Sequence, residues 1–143
     1  GLNCIVKLDR ASGELGWILG SEDGDFLHDG MGPFFIQQHQ FHRLDDTLLV
    51  FDNGDPLTAA SRAVEYQLDT SEGVASMIWS YAPSPDIYSF SLGDVTRLDN
   101  GNTLVTFSTS GLVHEVTPDG EVVWELAMGL GGALGYVTWV ESL

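Results

Sequence analysis

Three segments of this chain repeat one design, and that repeat constrains the fold more than any other feature. Ile5–Gly20 (IVKLDRASGELGWILG), Ala63–Ala82 (AVEYQLDTSEGVASMIWSYA) and Leu112–Ala127 (LVHEVTPDGEVVWELA) share it. Each has an apolar-alternating strand, an acidic turn containing glycine, and a second strand around a tryptophan: Trp17, Trp79 or Trp124. Alternation with period two marks a strand with two unlike faces. The turns DRASGE and TPDGE place Gly13 and Gly120 where tight hairpins call for positive φ. A second pattern alternates with the first. FHRLDDTLLVFDNG (Phe41–Gly54) and VTRLDNGNTLVTFSTSG (Val95–Gly111) both carry Arg-Leu-Asp, a turn, then Thr-Leu opening an apolar strand.

Joined, the two patterns give a four-stranded unit of about 45–60 residues, near the size of a propeller blade. The expected fold is therefore all-β, built from β-propeller blades: about two full blades plus parts of others. One blade is expected over residues 38–82 and a second over 94–127, with a half-blade over 1–20 in front and a closing strand over 135–143. Propellers close rings of ~4–8 blades, which protects their edges. These blades are expected to be completed by an N-terminal half or by self-association. The alternative is a compact β-sandwich that contains repeated hairpins.

Composition narrows the partners. Twenty-one acids face five bases among 143 residues, for a formal charge of −16. No basic stripe is available, which argues against nucleic acid. The acidity suits a periplasmic or extracellular setting where salt screens self-repulsion, and it leaves calcium open as a bound cation. Cys4 is the single cysteine, so no internal disulfide or all-cysteine metal site is expected. The uncharged stretch from Leu126 to Val140 is broken by glycines and too short to span a bilayer, so no membrane span is expected. The opening GLNCIVKLDR has no signal-peptide pattern, as in a mature secreted chain.

The reactive candidates are few. His39 and His42 fall on the innermost strand expected for the first full blade; three apart on a strand, they should point to opposite faces. His28 lies in FLHDGMGPFF, a Gly/Pro loop of the kind that carries ligands. His114 alternates inside a strand and reads as a structural or exposed histidine. Asn53 of FDNG reads first as a turn residue, and as an amide donor for an anionic oxygen second. Arg62 opens the next strand, where a structural ion pair with a nearby aspartate precedes an anion clamp. The sequence has no Gly-rich phosphate loop, no Gly-x-Ser-x-Gly elbow and no His-Glu-x-x-His.

The order QQHQFHRLDD, TLLVFDNGD, SRAVEY, MIWSY, VTRLDNGNTLVTFSTSGLVHEVTPDGEVVWEL and GYVTWVESL resembles the C-terminal portion of bacterial, aryl-sulfate-dependent arylsulfotransferases. The resemblance implies a six-bladed propeller. It implies transfer of a sulfuryl group from a phenolic sulfate ester, through a histidine, to a phenolic acceptor. It also implies that no nucleotide sulfate donor or other cofactor is used. Carried over by motif, Asn53 and Arg62 match the sulfuryl-binding positions and His39 the histidine of the inner strand, the three catalytic candidates. His42 and His28 are the substrate-binding candidates. SFSLGDVTRL, the inner strand expected in the next blade, contains no histidine. A non-catalytic propeller module that binds a partner or self-assembles is the competing reading.

Overall fold

The computed structural model describes residues 3–30, 33–57, 60–129 and 131–140. Among them there are eleven strands and no α-helix: β1 (Cys4–Leu8), β2 (Leu15–Gly20), β3 (Leu27–His28), β4 (Phe41–Leu44), β5 (Thr47–Asp52), β6 (Arg62–Asp69), β7 (Val74–Tyr81), β8 (Asp94–Arg97), β9 (Thr103–Phe107), β10 (Leu112–Val116) and β11 (Val122–Ala127). The chain is all-β. β4 to β7 form an antiparallel meander, with β3 added in parallel on the outer edge of β7. β8 to β11 form a second antiparallel meander, and β1 and β2 a separate hairpin.

The tryptophan hairpins share more than composition. Trp17 pairs with Lys7, Trp79 with Glu65 and Trp124 with Glu115, and in each hairpin the register slips at the next step. The residue passed over is Gly16, Ile78 or Val123, each immediately before the tryptophan. A bulge there places two residues opposite one and increases the local twist. The repeat thus extends to backbone geometry.

The middle sheet is covered on both faces. Leu48, Val50, Val64 and Tyr66 pack with Ile5, Leu19, Phe26, Phe34 and Phe35 on the hairpin side. Leu49, Phe51, Ala63 and Tyr81 pack with Val95, Val105, Phe107 and Val116 of the third sheet. This explains why TLLVFD reads as a run and not as an alternation: both sets of side chains leave water. Each fully buried aliphatic or aromatic side chain contributes about 1.5–3 kcal/mol. β8 packs against β4 and β5, so the first strands of the two meanders lie side by side. Gly93, just before β8, holds φ +116°, and a Cβ there would sit 2.2 Å from the Phe51 ring.

Among the described residues the sheets do not close into a ring or barrel. Residues 135–140 form no strand, and 141–143 of the expected closing strand lie outside the described residues. The segment is anchored near its start, where the Leu134 amide donates to Ser108 O at 2.8 Å and Ser108 Oγ donates to Gly135 O at 3.1 Å. It then passes along the third sheet, where Thr138 and Trp139 line a cleft of about 370 Å³ with Thr96–Asn100.

Candidate functional site

β5 ends and β6 begins at one end of the middle sheet, and that end gathers His39, Asn53 and Arg62. The His39 amide donates to Phe51 O at 3.1 Å, Asn53 follows β5, and Arg62 pairs in register with Asp52. His39 precedes β4 instead of lying within it, so strand alternation does not set its direction relative to His42. His42 lies within β4, opposite Leu49. Both histidines are exposed. Asp94 opens the neighbouring β8 and is buried. Burial raises its carboxyl above the usual aspartate range, partly offset by the Val95 amide and by the charges of His42 and His39. The ring of Tyr136, from the segment after the last strand, lies 6.1 Å from that of His39, tilted by 39°.

The polar groups of Asn53 and Arg62 have internal duties. Asn53 is buried, and its Nδ2 donates to Ser89 O at 2.6 Å and Leu92 O at 2.7 Å. Both partners are carbonyls, which accept only, so the amide cannot be reversed. What remains over is Oδ1, a buried acceptor without a partner. Asn53 therefore anchors the loop that delivers Asp94. Arg62 Nε donates to Asp52 Oδ2 at 2.8 Å, and Nη2 to Phe34 O at 3.2 Å. Asp52 is buried and also accepts from the amides of Ile36 at 2.8 Å and Gly54 at 3.0 Å. The ion pair read from the spacing is present, and the Arg62 side chain stays one-third exposed.

His28 stands apart. It lies on β3, at the opposite edge of the middle sheet from β4. Its ring packs 4.6 Å from Phe34 and 5.7 Å from Tyr66. Four inter-strand steps of about 4.8 Å separate these edges, so His28 is not brought together with His39 and His42. Beside it the Tyr66 hydroxyl donates to Phe34 O, and burial pushes the phenol up to about 12.

Sequence reasoning passed over Asp94 and Tyr136. In a chain with 21 acids one more aspartate carries no signal, and Tyr136 is 97 positions from His39 by the residue numbers. For His114, read as structural or exposed, the structural alternative holds. His114 is buried between the second and third sheets: Nδ1 meets the Tyr81 hydroxyl at 2.7 Å and Nε2 the Glu125 carboxylate at 3.0 Å. With the proton on Nε2 all three groups are satisfied, a structural tie between β7, β10 and β11. Among the described residues no three His, Cys, Asp or Glu side chains converge as a metal site. No helix among them is long and apolar enough to cross a membrane.

His39 and His42, both exposed, thus lie just before and within β4, and the buried Asp94 opens β8, the strand that packs against it. The family model described as Arylsulfotransferase (ASST) matches residues 2–127. The chain belongs to the arylsulfotransferase family. A search of curated proteins gives no match.

Proposed function

We propose that this edge transfers a sulfuryl group from a phenolic sulfate ester to a phenolic acceptor through His39. An imidazole nitrogen of His39 attacks sulfur, the bond from sulfur to the aryl oxygen breaks, and the leaving phenoxide takes a proton. Asp94 or His42 gives that proton. Asp94 is suited to the role because burial makes it hold a proton more firmly than an ordinary aspartate. In the second step the acceptor phenol attacks sulfur, the nitrogen–sulfur bond breaks, and the phenolic proton returns to the same groups. The reading also takes the stacked sheets as successive blades of a six-bladed propeller, with β4 and β8 facing its axis, in a periplasmic or extracellular protein. What supports it is membership of this family together with the placement of His39, Asn53 and Arg62 at one end of the middle sheet, where β4 packs against the start of the next meander.

The test is release of 4-nitrophenol from 4-nitrophenyl sulfate with a phenolic acceptor present. His39→Ala is expected to reduce the rate at least ~10²-fold, the scale of a positioned acid, base or nucleophile. Equal rates for wild type and His39→Ala would remove the reading.

One observation favours a non-catalytic module: Asn53 and Arg62, the donors expected to hold the sulfuryl oxygens, are engaged internally. Exposed Val122, Val123, Trp124 and Leu126 on β11 offer that module a surface for self-association. It predicts a concentration-dependent rise in particle mass by light scattering and no sulfuryl transfer.

A further inference from the structure

We propose that Tyr136 is itself an acceptor, so that the chain sulfates its own tyrosine when no external phenol is present. The inference rests on the proposed role of His39 and adds a modification site to it. Tyr136 is a phenol, the chemical class of the acceptor. Its ring lies 6.1 Å from the His39 ring, and the residue is 59% exposed. It belongs to a segment outside any strand, anchored at Leu134 and Gly135. Rotation about its side-chain bonds can therefore bring the hydroxyl toward the imidazole without breaking a sheet ladder. Of the other three tyrosines, Tyr66 and Tyr81 are buried, with hydroxyls bonded to Phe34 O and His114, and Tyr88 is half-buried between β7 and β8.

The step balances without a further reactant beyond the aryl sulfate. The donor leaves its sulfuryl group on a His39 nitrogen and departs as a phenol. The Tyr136 oxygen then attacks sulfur, an oxygen–sulfur bond forms, and the nitrogen–sulfur bond breaks. The phenolic proton passes to the imidazole or to Asp94. The product is a tyrosine O-sulfate, one negative charge placed beside the two histidines. A fixed anion there would compete with the anionic donor for the same site and slow further turnover.

The experiment incubates the full 143-residue chain with 4-nitrophenyl sulfate and no added acceptor, then maps sulfate by peptide mass spectrometry. Released 4-nitrophenol is measured in the same samples, with and without added phenol. The inference expects one sulfate on Tyr136 in the wild type and none there in His39→Gln or Tyr136→Phe. Tyr136→Phe should keep turnover with added phenol; Tyr136 is exposed, so the ring remains and the fold is not at risk. Turnover with added phenol but an unmodified Tyr136 would overturn this inference and leave the proposed function standing. No release of 4-nitrophenol under either condition would remove both. Sulfate on Tyr136 that persists in His39→Gln would also overturn it.

Discussion

Single side chains at the sheet end divide into those that hold the fold and those free to react. Asp52 satisfies two amides and one guanidinium from a buried position. Asp52→Ala strands all three donors, whereas Arg62→Ala removes a partner that is one-third exposed. Asp52→Ala is therefore expected to cost about 3 kcal/mol or more in urea unfolding, and Arg62→Ala clearly less. The reverse order would mean that Arg62 anchors this corner. Asp94 gives a prediction of opposite sign. Its folded pKa is raised, so the native state binds its proton more tightly than the unfolded chain. Stability from this group is full below the ordinary aspartate range and is lost as pH rises through the folded value. Asp94→Asn should thus stabilise the fold at neutral pH and flatten that part of the pH profile; a destabilised variant at neutral pH would contradict it. If Asp94 is also the proton donor, the same variant loses turnover while gaining stability.

Between residues and sheets the decisive feature is the passage from β7 into β8. Gly93 combines positive φ with contact against Phe51, so Gly93→Ala forces a methyl group into a buried ring. A loss of about 2–4 kcal/mol is expected, from overpacking and backbone strain together; a melting temperature near that of the wild type would show that the β7–β8 connection shifts freely. Hydrogen exchange should separate the strands. β5 and β9 are buried almost throughout, and β11 is exposed at all six positions. Amides of β11 without a ladder partner should exchange first. The strands of the three hairpin-bearing units were legible in the sequence, because period-two alternation and Gly-containing turns are local signals, whereas β3 was not expected and the strand expected over 135–143 does not form at 135–140. Leu48 to Phe51 gave a strand but not its two-sided burial, which depends on sheets far away in sequence. The bulges beside Trp17, Trp79 and Trp124 were hidden, since one passed-over residue barely disturbs an alternating pattern. His39, Asn53 and Arg62, singled out by motif, lie at one end of the sheet. The internal bonds of Asn53 could not be read, because Ser89 and Leu92 are distant loop carbonyls with no sequence signature.

Across the whole molecule, charge and layering set the behaviour. With a formal charge of −16, self-repulsion opposes compactness, and screening shortens to about 8 Å at physiological ionic strength. The melting temperature should therefore rise when salt is added from a low-salt buffer; no change would indicate charges too dispersed to matter. The interface between the second and third sheets also holds the Arg97–Glu65 ion pair, with the Arg97 guanidinium 5.5 Å from the Trp79 ring centre. Arg97→Met should weaken that interface by about 3 kcal/mol, and an unchanged unfolding midpoint would show that it is held by apolar contact alone. The three tryptophan hairpins, kinked at one shared step, behave as interchangeable parts. Unequal recombination between their coding segments would add or remove a whole layer while leaving every inward side chain inward, so that a lineage can lengthen or shorten such a stack without redesigning any joint.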